Sequence, residues 1–341
     1  MNLPRDRLKA VLDAFASLGW RDVAGAALAV ADSLPAAGSS GDPAALVGRA
    51  LPPDWLAVHS TTRGDAGTIL SRVLAGQIAA AAGDPPTGTP PVDLVVVTAL
   101  GLEHNAVQAH LSGASTITAT AGTVYTVGQL GGSGPHAALV ETGQGNAAAA
   151  AETERALVLF SPRAVMFVGV AGGLKDNPLG TVVAAELIYD YSHIAEDPDG
   201  LRGRVKTHVG AYRAVQAARA SARDGTWTAR RVEPAAGWPD TAAPGAVVKP
   251  IAAGPRLVRD CKGDTARWLE ANCNDAAAVE MEGWGFLQAA YAHPGSQALV
   301  VRAISDRLGD KTADQDARWQ PAAAANAAAF AVDVALRLLD G

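Results

Sequence analysis

A chain of 341 residues with 49% hydrophobic and 18% charged side chains can bury a substantial core and has room for two domains, which excludes disorder as the default state. A formal net charge of −6, with no run of Lys or Arg, excludes the basic field that a nucleic-acid backbone requires. The two cysteines, Cys261 and Cys273, form neither a disulfide framework nor a metal-ligand spacing and suit a reducing cytoplasm.

The opening MNLPRDRLKAVLDAF mixes acids and bases where a signal peptide would be apolar, and no stretch reads as a membrane span. A cytoplasmic protein without membrane or nucleic-acid partners is therefore expected. Leu8, Val11, Leu12 and Phe15 recur at helical spacing behind Pro4, and similar faces follow in 20–34, 43–58 and 66–82, predicting a small all-α domain of about four helices over 1–82. His59 stands alone in it, as a surface residue does. Residues 83–91, GDPPTGTPP, hold four prolines and two glycines and read as a linker to a domain spanning 92–341.

Beyond the linker, apolar strands alternate with Ala-rich helices. Strands are predicted at 92–100, 123–130, 136–142, 163–173, 182–191, 247–253, 276–281 and 297–305. Helices are predicted at 145–160, 211–223, 264–272, 282–293 and 316–339, and 224–246, rich in Pro, Gly and Ala, reads as an irregular insertion or loop. Such alternation implies an α/β fold in which helices flank a mixed central sheet.

Ligands of open α/β sheets gather at the carboxyl ends of strands, and four ends here finish unusually. TALGLEHNAV places Glu103 just past the first strand. VGVAGGL sets Gly169, Gly172 and Gly173 where backbone N–H groups can approach a ligand. AAAVEMEG ends in Glu280, Met281 and Glu282, and LVVRAISD in Ser305 and Asp306. Taken singly, each acid reads first as the first-turn acid of a following helix, and each glycine turn as turn chemistry. Several acids on equivalent strand ends, with few cations beside them in sequence, point instead to a site. VAGGL does not have the GxGxxG spacing of a dinucleotide fold, and the seven histidines are dispersed, so neither a metal nor a cofactor is implied.

The order TALGLEHNAV, GQGNAAAAAE, FVGVAGGL, VEMEG and VVRAISD, from Asp93 to about Leu339, resembles the nucleoside phosphorylase superfamily. It is most similar to the hydrolytic branch, the methylthioadenosine/S-adenosylhomocysteine nucleosidases, and the tail DARWQPAAAANAAAFAVDVALRLL resembles versions of the domain found in microbial and fungal signalling and defence proteins. The resemblance implies a purine, specifically adenine, nucleoside or nucleotide N-ribohydrolase. Asp306 then protonates or hydrogen-bonds N7 of the base, Ser305 positions Asp306, and Glu103 deprotonates the attacking water. Glu282 accepts the ribose hydroxyls, Met281 packs on the sugar, Glu280 anchors the segment, and Val170 and Gly172 line the substrate.

This assignment suits the chemistry, because cleaving an N-ribosidic bond builds positive charge on the sugar and negative charge on the departing base. It requires Asp306 to be buried, and it requires Glu103, Glu282 and Asp306 to surround one hollow. Neither TALGLEHNA nor ETGQGNAAA supplies the Arg or Lys that would hold phosphate, so water is the expected nucleophile. Phosphorolysis, and a sensor that binds a nucleoside without turnover, stand as alternatives. Within SHIAEDPDGLRGRVKTHVGAYR, Arg202, Arg204, Lys206 and His208 read either as a solvated loop or as contacts for the 5′-phosphates of ATP or AMP. The latter reading accompanies a role as a defence effector. The resemblance also implies a homo-oligomer, and residues 1–82 resemble an adaptor that receives a protein partner.

Overall fold

The computed structural model describes residues 89–340, apart from 120–121, 176, 198–199, 240–243, 259 and 310–312. The helical reading of 1–82 and most of the linker lie outside the described residues.

Leu94–Thr98 forms β1, buried on both faces: Leu94 and Val96 enter one apolar cluster, Val95 and Val97 the other. A continuous β-branched run is what a strand between two helical layers requires. Next come α1 (Gly101–Gln108), β2 (Leu111–Thr118), β3 (Val124–Leu130), β4 (His136–Glu141), α2 (Asn146–Phe160), β5 (Ala164–Gly173) and β6 (Val182–Asp190). A hairpin of β7 (Ile194–Asp197) and β8 (Gly200–Gly203) precedes β9 (Lys206–Val209), α3 (Tyr212–Asp224), β10 (Ala246–Ala253), α4 (Asp264–Asn272), β11 (Ala278–Glu280), α5 (Gly283–Ala290), β12 (Gln297–Arg307) and α6 (Ala313–Leu339).

Ten strands make one mixed sheet in the order β11-β10-β6-β12-β5-β1-β4-β3-β2, with β9 on β6. The mixed α/β architecture expected from the alternation is thus present. Because β11 also pairs antiparallel with the end of β5, strands β5, β12, β6, β10 and β11 close into a ring, and β1, β4, β3 and β2 extend from it as an open wing. On the edge of β5, pairing with β1 runs from Ala164 to Phe167 and pairing with β11 covers Gly172 and Gly173. Between them the sheet parts, and the backbone there is open to a side-chain partner.

Helices α3 and α6 cover one face, α6 laying small residues from Ala323 to Ala331 against the sheet. Helices α2 and α5 cover the other through Ala149, Leu157, Phe286 and Leu287. The segment Asp316–Leu339 corrects the expectation that no stretch is long and apolar enough to span a bilayer: by length and composition it is, but most of it is buried against the sheet, as a core helix is.

Three further departures have local causes. Helix α1 was not anticipated, its eight residues being shorter than a reliable helical period. Strand β2 is almost wholly exposed, so LSGASTIT carries no apolar alternation. The 224–246 stretch is not a free loop at its start: Thr226–Arg230 forms a 3-10 turn with Trp227 buried edge-on to Phe330 at 5.6 Å. Arg230 Nε donates to Asp333 at 2.9 Å and Arg231 Nε to Asn326 at 2.8 Å, tying the turn to α6.

Candidate active site

The parting of the sheet beside β5 is filled by a carboxylate. Glu103, in the first turn of α1, turns back so that Oε2 accepts the N–H groups of Ala99 at 2.8 Å and Leu100 at 3.0 Å. Its Oε1 accepts the N–H of Val170 at 2.8 Å, in the stretch of β5 between its two neighbours. Glu103 therefore does cap its helix, as a first-turn acid should, but it also spans the break in the sheet. It is 2% exposed, and burial raises its pKa while the nearby Arg302 guanidinium and the three N–H groups pull it down.

Arg302 is the residue that sequence reasoning missed. It rises from the middle of β12, fully buried, with its guanidinium 4.4 Å over the ring of Phe167. Nη2 donates to Glu280 Oε2 at 2.5 Å and to Glu282 Oε2 at 3.0 Å, and Nη1 lies 3.8 Å from Glu103 Oε1. The acids are thus not without a cation. Their partner arrives from a strand distant in sequence from Glu103, and its signal was a charge inside the otherwise apolar run LVVRAI. Gly169 makes room for this meeting, since a Cβ there would stand 2.3 Å from both Arg302 Nη1 and Glu103 Oε1.

Glu280 and Glu282 occupy different positions despite being one residue apart. Glu280 accepts the N–H groups of Glu282 and Gly283 at the start of α5, in addition to Arg302, so its oxygens are taken up by the turn. Glu282 Oε1 accepts the N–H of Gly145 at 2.8 Å, leaving each carboxylate oxygen a further lone pair. Burial is the largest cause that raises its pKa, to about 7, against the pull of Arg302. Met281 is half-buried between them.

On β12 a register shift between Ile304 and Asp306 makes Ser305 a bulge residue, and Asp306 pairs with Gly172. Both are buried, and Ser305 Oγ donates to Asp306 Oδ1 at 2.7 Å. A Cβ on Gly172 would lie 3.6 Å from Asp306 Oδ2 and 3.4 Å from Val279, so these three groups adjoin at the end of β5.

Arg202, Arg204 and Lys206 are exposed on and around β8 and β9, where Gly203 packs against Trp268 of α4. His208 is half-buried: its Nε2 meets Gln288 Oε1 at 2.8 Å and its ring lies 4.4 Å from Trp284, just beyond Glu282. A cleft of about 530 Å³ lies beside the carboxylates and not among them. His104, Thr123, Thr126, Glu141, Glu152 and Arg155 line it, at the edge where β4 ends and β3 begins.

Residues 93–337 match the family model described as Phosphorylase superfamily. The chain belongs to the phosphorylase superfamily. Among solved structures, it is similar to a 5′-methylthioadenosine/S-adenosylhomocysteine nucleosidase from Colwellia psychrerythraea in complex with adenine, at 22% identity and TM-score 0.59, covering 73% of this chain and 96% of that one. It is also similar to the corresponding nucleosidase from Neisseria meningitidis in complex with methylthio-immucillin-A, at 21% identity, TM-score 0.55 and coverage of 71% and 97%. A third is the futalosine hydrolase of Helicobacter pylori, at 17% identity, TM-score 0.57 and coverage of 72% and 97%. No curated protein matches the chain.

Proposed function

We propose that this chain is a purine nucleoside N-ribohydrolase that releases adenine. The observation carrying the proposal is the gathering of Glu103, Glu280 and Glu282 on one buried guanidinium at the parting of the sheet, with Asp306 at the next strand end.

In this reading the C1′–N9 bond breaks and its electron pair passes to the purine, where Asp306 delivers a proton to N7. The water oxygen bonds to C1′ and its proton goes to Glu103. Burial supports that step, because it makes Glu103 more basic than an exposed carboxylate. Arg302 fixes the carboxylates in place, and Glu282 uses its remaining lone pairs to accept the ribose hydroxyls. Three glutamates around one arginine leave a negative excess, which favours water over a phosphate dianion as nucleophile. The named similar proteins act on adenosine thioethers or futalosine, which supports hydrolysis of a related nucleoside here.

Action on ATP or AMP, with a defence role and with residues 1–82 as its adaptor, is a second reading favoured by the exposed Arg202, Arg204 and Lys206. Incubating the full chain with adenosine, methylthioadenosine, S-adenosylhomocysteine, AMP and ATP and following adenine separates the two. Ribose as coproduct, without any requirement for phosphate, is expected; ribose 1-phosphate would assign phosphorolysis. Asp306→Asn is expected to lower kcat by about two to four decades with the thermal midpoint little changed. Unchanged adenine release at saturation in that variant removes Asp306 from the mechanism.

A further inference from the structure

The hydrogens of an attacking water can be counted against the lone pairs that the carboxylates leave open. Each carboxylate oxygen has two lone pairs. Glu103 Oε2 gives both to the N–H groups of Ala99 and Leu100, and Oε1 gives one to Val170, so Glu103 has room for a single further hydrogen. Glu280 is turned onto Arg302 and the start of α5. Glu282 keeps one lone pair on each oxygen, and in the nucleosidase reading the two ribose hydroxyls take them. Water carries two hydrogens, and Glu103 accepts one. The other needs a different acceptor.

The turn from β4 into α2, Thr142-Gly143-Gln144-Gly145, is tied to both acids. Thr142 N–H donates to Thr98 O at 2.8 Å, adjoining Ala99, whose own N–H holds Glu103. At the other end Gly145 N–H holds Glu282. Consecutive Cα atoms stand about 3.8 Å apart, so Gln144 starts one step from the Glu282 contact and two steps from the Thr98 contact. Gly143 and Gly145, at φ +76° and +104°, give the turn a backbone that glycine adopts readily. A Cβ on either would meet no atom within 4 Å, so open space flanks Gln144 on both sides. Gln144 is exposed, and its amide has no hydrogen-bond partner among the described residues. An uncommitted amide oxygen thus stands between the acid that takes a proton from water and the acid that holds the ribose.

We propose that Gln144 is a further catalytic residue: its Oε1 accepts the second hydrogen of the attacking water. The inference rests on the nucleosidase reading and adds to it the group that aims the nucleophile. With one hydrogen on Glu103 and the other on Gln144, a lone pair of the water points at C1′. The O–H on Glu103 breaks and its proton stays there, while the O–H on Gln144 stays intact and leaves as the 1-hydroxyl of the ribose. Methanol has one O–H. It satisfies Glu103 but leaves the Gln144 oxygen unpaired, so the site should discriminate against it about tenfold or more per mole.

The test incubates the full chain with adenosine or methylthioadenosine in methanol–water mixtures and measures the ratio of methyl riboside to free sugar. Wild type should yield methyl riboside at about one tenth or less of the molar ratio of methanol to water. Gln144→Met, similar in length and without the amide, should bring the product ratio to within about twofold of the molar ratio and lower kcat about tenfold, with KM little changed. Gln144→Glu retains an acceptor oxygen and should keep the discrimination of wild type. Gln144 is exposed, so the thermal midpoints of both variants should match wild type. A wild-type product ratio equal to the molar ratio, discrimination unaffected by Gln144→Met, or discrimination lost equally in Gln144→Glu overturns the role of Gln144 while adenine release continues. If wild type releases no adenine from either nucleoside, the nucleosidase reading fails and the proposal falls with it.

Discussion

At Arg302 one guanidinium carries the electrostatics of three carboxylates, and the consequence is clearest at Glu282. Its pKa stands at about 7 against an ordinary 4.5, because burial outweighs the attraction of Arg302 and the neighbouring Glu280 adds repulsion. A raised carboxyl favours its protonated form in the folded state. The stability it contributes is therefore fully present below about pH 4.5 and is lost as pH rises through about 7. Glu282→Gln is always neutral and escapes that loss. Its thermal midpoint relative to wild type should rise between pH 5 and pH 8, by the equivalent of about 1–3 kcal/mol of unfolding free energy. In the same variant kcat/KM should fall about a hundredfold or more, because the amide cannot offer the developing charge a full anion. Wild-type kcat/KM should climb with pH through about 7 as the carboxyl ionises. A midpoint difference that is flat across this range would refute the burial account. At this scale the acids of VEMEG, TALGLEHNA and RAISD were legible because charges interrupt apolar strands. Arg302 obeys the same rule and was passed over because its partners are dispersed along the chain.

Among elements, the meeting of α2 and α5 holds the Glu282 contact in place. Asn146 Oδ1 accepts the N–H of Gly285 at 2.8 Å, and Gly145 N–H meets Glu282 one residue earlier. A Cβ on Gly285 would come within 1.9 Å of the Asn146 carbonyl oxygen, so the two helix starts are in contact through backbone and a side chain has no room. Gly285→Ala must push them apart. It should cost about 1–3 kcal/mol in urea unfolding and raise KM as the Gly145 contact to Glu282 opens. Gly295→Ala, where no atom lies within 4 Å of the new carbon, is the control and should match wild type. Equal stability of the two variants would show that the helices slide freely. The sequence made these helices readable through their Ala-rich and apolar faces, but not their closeness. That depends on one glycine opposite one asparagine, 139 residues apart in sequence. The β7–β8 hairpin and β9 escaped notice for a related reason. Each is four residues long, and the exposed β9 has no apolar face to impose a period.

For the described domain as a whole, the ring and the wing should differ in how firmly they are held. Strands β1 and β5 and most of β12 are buried on both sides, and β5 is hydrogen-bonded to β12 along its whole length while β1 and β11 share its other edge. Strand β2 ends the wing, exposed at six of its eight residues, and β7 pairs with β8 and no other strand. Opening β5 requires breaking the sheet at its centre and exposing both apolar clusters, whereas opening β2 breaks one ladder and exposes little. Native-state hydrogen exchange should therefore find the slowest amides in Val165–Val168 and Leu299–Arg302, near the global unfolding limit. Amides of Ser112–Thr116 and the β7–β8 hairpin should exchange orders of magnitude faster. Since the Val170 amide is bonded to Glu103 and not to a strand, it reports on the site directly. Its protection should fall in Glu103→Gln while Met166 stays unchanged, and equal losses at both would mean that the carboxylate supports the sheet as a whole.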